Sequence, residues 1–290
     1  MITRFAPSPT GPLHLGHAWA AMVAADHGEM RLRIEDIDPE RSKPRWEAAI
    51  RADLEWLGLP PAGPVMRQSE RTAAYAGALD RLWAEGLLYP CTCSRRDVWE
   101  AAAPQEGAPL HGPDGVVYPG TCRSAPRTGP RPEGAALRLD AAAVTEPLSW
   151  EDDRLGPGRM EPAAYAAMVG DVVVARRGWD TSYHLAVVVD DAAQEVGLVT
   201  RGEDLADATP IHVTLQRLLG LPTPGYLHHD LVRDGDGRRL AKRDDARSLA
   251  SYREAGWSAE ALKARLRQDR TVPAVEDRRP SAAAAPSRRA

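Results

Sequence analysis

The first 34 residues constrain this chain most. A short, half-apolar segment, 2–5, enters the turn-rich stretch Ala6-Pro7-Ser8-Pro9-Thr10-Gly11. Segment 15–25 is then nearly uninterrupted Ala, Leu, Val, Met and Trp, with Gly16 near its start. Such a run reads as a buried helix. Met30-Arg31-Leu32-Arg33-Ile34 alternates apolar and basic side chains, which is the period of a strand. Strand, helix and strand in so short a span make a βαβ unit. That unit demands a parallel sheet with a right-handed crossover.

The rest of the chain extends this α/β pattern. Apolar residues at Trp46, Ile50, Leu54 and Leu57 predict a helix over 44–57, opened by Pro44 and stopped by Gly58. Tyr75, Leu79, Leu82 and Trp83 predict another over 72–85, ended by Gly86. From 90 to 134 the periodicity fades into Pro, Gly, Ala, Arg and Cys, which reads as an insertion without a large core. Strands are expected over 135–139, 172–175 and 196–200, with a turn at 177–180. The apolar run 183–189, ending in Asp190-Asp191, fits a strand or a short buried helix equally well. Thr209-Pro210 opens a helix to 219, and short helices are expected over 248–255 and 258–266. The expected division is therefore 1–88 and 166–235 as two halves of one nucleotide-binding domain, with 89–165 inserted between them. A loop and short helical end follow over 236–270, then a low-complexity tail over 271–290.

Charge and composition narrow the partners. The 37 Lys and Arg against 41 Asp and Glu leave a net charge of -4, so any nucleic acid must meet a local basic patch. Candidate patches are Arg95, Arg96, Arg123, Arg127 and Arg131 in the insertion, and Arg238, Arg239, Lys242, Arg243 and Arg247 further on. Arg265, Arg267 and Arg270 near the end are weaker candidates. No apolar run is long enough to span a bilayer, and the N-terminus lacks the pattern of a secretory signal. A cytoplasmic monomer is the expectation.

Two stretches carry nucleotide chemistry. Pro9 to His17 lies where the first strand ends and the first helix begins, the place where open α/β sheets bind ligands. Backbone N–H groups at a helix start suit phosphate. His14 and His17, three residues apart, can both face a phosphoryl group, although their spacing also fits ordinary loop and cap histidines. The basic run 238–243 follows a turn-rich Asp234-Gly235-Asp236-Gly237 and can clamp a polyphosphate. Arg4 and Arg201 leave strand ends and are the guanidinium candidates for a carboxylate.

The cysteines are only three: Cys91, Cys93 and Cys122. A Cys-x-Cys pair with a distant third thiol can surround one Zn²⁺, which prefers four ligands. Spacing leaves both Tyr118 and His111 open as the fourth.

These motifs together resemble one family. Arg4-Phe5-Ala6-Pro7-Ser8-Pro9-Thr10-Gly11-Pro12-Leu13-His14-Leu15-Gly16-His17 closely resembles the opening of the class I glutamyl-tRNA synthetases, its last four residues matching their His-Ile-Gly-His element. Arg33-Ile34-Glu35-Asp36-Ile37-Asp38, the segments from Tyr183 to Asp191 and from Thr200 to Leu205, and Thr209-Pro210-Ile211-His212 also fit. Leu240-Ala241-Lys242-Arg243 stands where that family has Lys-Met-Ser-Lys-Ser, with Ala241 in place of the Ser and Arg239 in place of the first Lys. Little chain follows that loop, whereas a full glutamyl-tRNA synthetase continues into an anticodon-binding body. The resemblance is therefore nearest to the truncated glutamyl-queuosine tRNA(Asp) synthetase branch.

That resemblance implies a Rossmann-like α/β catalytic domain with an inserted zinc-bearing subdomain and short C-terminal helices. It implies ATP-dependent, tRNA-independent activation of L-glutamate to an adenylate. Glutamate is then transferred to the queuosine base in the anticodon of tRNA(Asp). The alternatives are a truncated synthetase that charges a tRNA 3′ end and a non-catalytic, zinc-stabilised RNA-binding paralogue. By motif position Arg4, Ala6, Ser8, Glu35, Tyr183 and Arg201 would bind glutamate. Pro9, Gly11, His14, Gly16, His17 and Lys242 would bind ATP, with His14, His17 and Lys242 on the reacting phosphate. Mg²⁺ would accompany ATP. Cys91, Cys93, Tyr118 and Cys122 would hold the zinc, the resemblance favouring Tyr118 over His111.

Overall fold

The computed structural model describes residues 1–103, 108–179, 181–233 and 248–270. β1 (Ile2–Phe5), α1 (Leu15–His27) and β2 (Glu29–Ile34) form the expected βαβ unit, β1 and β2 running parallel with Ile2 opposite Glu29. α2 (Pro44–Trp56) follows and β3 (Met66–Arg67) adds in parallel to β2. α3 (Thr72–Ala84) closes the first half. The glycines just past α2 and α3, Gly58 and Gly86, have φ of 66° and 72°, the left-handed turn that ends a helix.

The chain then leaves the parallel sheet. β4 (Leu88–Cys91) leads to α4 (Arg95–Ala102), to the two-residue strands β5 (His111–Gly112) and β6 (Gly115–Val116), and to β7 (Ala136–Leu139). β8 (Leu148–Trp150) and β9 (Gly158–Met160) form a hairpin, followed by α5 (Pro162–Met168) and β10 (Val173–Ala175). A second sheet, β10-β7-β4, is antiparallel. The chain returns through α6 (Tyr183–Ala193), β11 (Leu198–Gly202), α7 (Thr209–Leu218) and β12 (Gly225–His229). β11 and β12 are parallel, and the Gly197 N–H donates to the Ile2 carbonyl at 2.9 Å, setting β11 beside β1. α8 (Leu249–Glu254) and α9 (Ala259–Gln268) end the described chain.

Two cores hold the halves. One joins α3, α6 and α7 to the antiparallel sheet through Leu82, Leu139, Tyr165, Leu185 and Ile211. The other joins β1, α1, β2 and α2 to the C-terminal helices, whose Leu249, Tyr252, Leu262 and Leu266 are buried among Leu13, Met22 and Ile50. Each such side chain contributes about 1.5–3 kcal/mol, so the chain's last helices are fastened onto its first βαβ unit. No helix among the described residues is long and apolar enough to cross a membrane.

The open assignment of 183–189 resolves as a helix. Ser182 caps it, accepting from the Leu185 N–H, and it runs past Asp190 and Asp191, which are buried because basic side chains reach them. The strand expected over 196–200 begins two residues later, since Val196 is still bonded to the Asp191 carbonyl. α4 shows no apolar period because Val98 is its one buried residue; its signal was the capping box of Ser94 and Asp97.

Candidate active site and metal centre

α1 opens on His14, which caps it. The His14 Nδ1 accepts the Gly16 N–H at 3.1 Å, and the His14 N–H donates to the His17 Nδ1 at 3.1 Å. An imidazole that accepts at Nδ1 carries its proton at Nε2 when neutral. Both histidines therefore present Nε2–H donors, with ring centroids 3.8 Å apart. A Cβ at Gly16 would come 3.0 Å from the His14 ring, so the glycine makes room for the cap. Ser248 bridges to His14, and the Leu249 N–H donates to the Leu13 carbonyl at 2.8 Å. Chain from far downstream thus reaches the first helix turn.

A cavity of about 490 Å³ opens beside this turn. Arg4, Ala6, Ser8, His17, Glu35, Tyr183 and Arg201 all line it. The structure thus brings the six residues expected to meet glutamate to one space, together with one of the two histidines. Pro9, Gly11, His14 and Gly16 form the adjoining loop and helix start but do not line the cavity. Lys242, with Arg238, Arg239, Arg243 and Arg247, lies outside the described residues.

The charges around the cavity are unequal partners. Arg4 donates from Nε to Asp191 at 3.3 Å and from Nη1 to the Thr200 carbonyl at 2.7 Å. Arg33, fully buried, meets the same Asp191 at 2.6 Å and Glu35 at 3.5 Å. Asp191 is desolvated, yet Arg33 and Arg4 hold its carboxyl below the usual range. Burial dominates at Glu35 and raises its carboxyl above the usual range, against the pull of Arg33 and Arg4. Sequence reasoning assigned no role to Arg33 or Asp191. The available signal was an ionisable pair, Asp190-Asp191, ending an apolar run. Asp190 takes hydrogen bonds from Gln68, Arg71 and Tyr75, so the pair ties α6 to both α3 and the first strands.

Arg201 differs. It is buried, and among the described residues it forms no ion pair. Its Nε donates to the His228 Nε2 at 2.9 Å, its Nη1 to the His212 Nδ1 at 2.8 Å and its Nη2 to the Thr209 hydroxyl at 2.8 Å. Burial, with nearby Arg4, lowers its pKa, whereas Tyr183, Tyr226 and Asp191 pull it up. A buried cation served only by neutral acceptors suits an anionic ligand. Three guanidiniums, Arg4, Arg33 and Arg201, face two carboxylates, Asp191 and Glu35. The excess of one positive charge matches a dicarboxylic amino acid of net charge -1.

The three thiols also converge. Cys91, Cys93 and Cys122 lie within 4.8 Å of one another, Cys93 and Cys122 at 3.5 Å. The Tyr118 hydroxyl stands 3.6 Å from Cys91 and 3.3 Å from Cys93 and accepts the Cys122 N–H at 2.9 Å. Tetrahedral zinc with bonds near 2.0–2.3 Å sets its ligands roughly 3.5–3.8 Å apart, close to the separations of Cys93 from Cys122 and of Tyr118 from Cys91 and Cys93. The Tyr118 hydroxyl also pulls the Cys122 thiol down to about 6. Arg138 lies 3.7 Å over the Tyr118 ring and donates to Cys91, offsetting the negative charge of such a donor set. His111 stands apart from the cluster, its Nδ1 on the Pro109 carbonyl.

Several arginines considered for nucleic acid carry ion pairs within the chain. Arg123 pairs with Asp171, Arg127 with Asp140 and Arg131 with Asp80. Arg265, Arg267 and Arg270 pair with Asp269, Asp26 and Asp230. Arg96 pairs with Glu100 on the surface.

Comparison with known proteins decides the family. The family described as tRNA synthetases class I (E and Q), catalytic domain, matches residues 1–277. The glutamyl-Q tRNA(Asp) synthetase of Rhodobacter capsulatus is 58% identical over 271 residues, covering 89% of this chain and 96% of that one. The chain belongs to the glutamyl-Q tRNA(Asp) synthetase family. A protein of the same name from Symbiobacterium thermophilum is 44% identical over 280 residues, covering 91% of this chain and 84% of that one. Among solved structures, a glutamate tRNA ligase from Elizabethkingia meningosepticum in complex with its amino acid superposes with a TM-score of 0.67 at 26% identity. That match covers 84% of this chain and 52% of that one, so the chain spans about half the length of the ligase. The Mycobacterium tuberculosis methionyl-tRNA synthetase, at 13% identity and a TM-score of 0.56 over 91% of this chain and 63% of that one, shares the fold.

Proposed function

We propose that the chain joins glutamate to ATP as glutamyl-adenylate without tRNA, then transfers glutamate to queuosine in the anticodon of tRNA(Asp). The observation that carries the reading is the single cavity in which Arg201, Arg4, Glu35, Tyr183 and His17 meet. Arg201 and Arg4 take the carboxylates of glutamate, Glu35 takes its α-ammonium, and Tyr183, Ala6 and Ser8 shape the wall. The α-carboxylate is ionised at neutral pH and needs no base. One of its oxygens attacks the α-phosphorus of ATP; the bond to the bridging oxygen breaks and pyrophosphate leaves. The Nε2–H groups of His14 and His17 donate to the phosphoryl oxygens as charge builds there. Lys242 serves the same phosphates, with Pro9, Gly11 and Gly16 shaping the loop that receives them. Mg²⁺ accompanies ATP. A queuosine hydroxyl then attacks the adenylate carbonyl, and AMP leaves.

Cys91, Cys93, Tyr118 and Cys122 would hold zinc, which cross-links the inserted segment and takes no part in the reaction. The five-segment division with its bounds at 88, 165, 235 and 270 belongs to this reading, as does a monomer acting in the cytoplasm. The deciding experiment uses labelled glutamate, ATP and tRNA(Asp) with or without queuosine. Label should enter only the queuosine-bearing tRNA and map to the anticodon. Label at the 3′ end would favour the truncated synthetase, and no glutamate-dependent ATP–pyrophosphate exchange would favour a non-catalytic paralogue.

The raised pKa of Glu35 gives a second expectation. Protonation removes the partner of the α-ammonium, so affinity for glutamate falls as pH drops through the Glu35 pKa. That limb in kcat/KM lies above the ordinary carboxylate range, since kcat/KM reports the free enzyme. Glu35→Gln should raise KM for glutamate and erase the limb. An unchanged limb in that variant refutes the assignment.

A further inference from the structure

The orientation of Arg201 is set by residues beyond it. Arginine can only donate, so the His212 Nδ1 that meets it at 2.8 Å accepts. A neutral His212 then carries its proton on Nε2, which lies 3.0 Å from the His184 Nδ1. His184 must in turn be protonated at Nε2, which faces the Asp114 Oδ1 at 3.4 Å. The chain of donors runs one way, from Arg201 through two histidines to an aspartate. Burial and the neighbouring Arg201 keep His212 neutral by lowering its pKa well below the ordinary value. Burial would raise the Asp114 carboxyl, but the hydrogen bond from His184 holds it below the usual range. A second branch ends similarly: His228 accepts from Arg201 at Nε2 and gives its Nδ1–H to Asp152.

The origin of Asp114 matters. It sits in the turn between β5 and β6, four residues before Tyr118 of the thiol cluster. His184 and His212 stand on α6 and α7, elements of the returning parallel half. The chain of polar contacts, whose crossing link is the 3.4 Å approach of the His184 Nε2 to Asp114, therefore runs from the inserted subdomain into the glutamate cavity.

We propose that His212, His184 and Asp114 are positioning residues for glutamate recognition, fixing the plane of the Arg201 guanidinium and making its placement depend on an ordered inserted subdomain. The proposal rests on Arg201 binding a glutamate carboxylate. Without Asp114, His184 loses the group that fixes its tautomer, His212 can turn, and Arg201 loses one of three supports. The chemistry at phosphorus is untouched.

The test is ATP–pyrophosphate exchange with Asp114→Ala and Asp114→Asn in the full, zinc-replete protein. Asparagine keeps an oxygen acceptor for His184, and alanine does not. Asp114→Ala should raise KM for glutamate about 5–10-fold, the value of one hydrogen bond to a charged network. KM for ATP, kcat and bound zinc should stay near those of the parent. Asp114→Asn should restore KM to within about twofold. Nitrogen-15 NMR should find His184 and His212 as neutral Nε2–H tautomers. An unchanged glutamate KM in Asp114→Ala, or an Nδ1–H tautomer at His212, overturns the proposal. A parent protein that shows no glutamate-dependent exchange overturns the proposed function instead.

Discussion

Arg201→Ala should lose about 30- to 1000-fold in kcat/KM for glutamate in ATP–pyrophosphate exchange, with nearly all the loss in KM. Truncating one partner of a buried charge pair costs about 2–4 kcal/mol, and each 1.4 kcal/mol is tenfold. The effect is large because, among the described residues, the other guanidiniums at the cavity are already engaged, Arg41 with Asp38. Arg4 is already tied to Asp191 and the Thr200 carbonyl, and Arg33 to Asp191 and Gln194. Stability should respond far less. Removal leaves His212, His228 and Thr209 short of a donor, but it also relieves the desolvation of a guanidinium that has no carboxylate beside it. Arg201→Lys keeps the charge, loses the planar fork and should fall between the two. The excess positive charge of the cavity disappears in the alanine variant, so its preference for glutamate over glutamine should shrink as well. Exchange rates against glutamate concentration, with a melting curve for each protein, decide the matter. A glutamate KM within twofold of the parent would leave Arg201 a structural residue.

How far the sequence foretold this site depends on what each residue does. The parallel βαβ unit was legible because a buried helix and an alternating strand have unmistakable periods. The six cavity residues were legible through the family resemblance of their motifs, five of them on or just beyond strand ends and Tyr183 at the start of α6. Arg33 and Asp191 escaped because their importance is mutual: they are 158 residues apart and meet only when α6 packs on β2. β12 was missed because Gly-Tyr-Leu-His-His does not look apolar, yet His228 and His229 are buried there, His228 between Asp152 and Arg201. The ion pairs of the insertion's arginines escaped for a related reason. Composition displays a positive charge but hides its partner, and Asp171, Asp140 and Asp80 lie far enough along the chain that no local pattern joins them to Arg123, Arg127 and Arg131. Between Tyr118 and His111 spacing left the choice open, although imidazole is the commoner zinc ligand. The family resemblance pointed the other way, and the Tyr118 hydroxyl is the oxygen that stands among the thiols.

Removing the zinc proposed for the thiol cluster should loosen the inserted segment while the parallel domain keeps its fold. The thiol cluster packs on few side chains: Tyr89, Cys91, Val98 and Tyr118 are buried, with Cys93, Val116 and Cys122 half-buried beside them. Two of its strands are two residues long. So small an apolar cluster cannot by itself offset the entropy of ordering the surrounding loops, and in such modules metal binding is part of the folding free energy. The core built on α1, β1, β2 and α2 and closed by α8 and α9 shares no residue with it. Chelation, or Cys122→Ser, should therefore reduce bound zinc from about one equivalent to nearly none. It should expose 90–125 to limited proteolysis and leave protection of the first 60 or so residues intact. Glutamate activation should survive in part. Its KM should rise by about the 5–10-fold expected for Asp114→Ala, because an untethered β5–β6 turn no longer offers Asp114 to His184. The two perturbations should not add, since each removes the same support. Additive effects would mean that zinc and Asp114 act on glutamate binding by separate routes. Full protease resistance of 90–125 after complete zinc removal would show that the segment is held by its packing, with the thiols contributing nothing essential to its order.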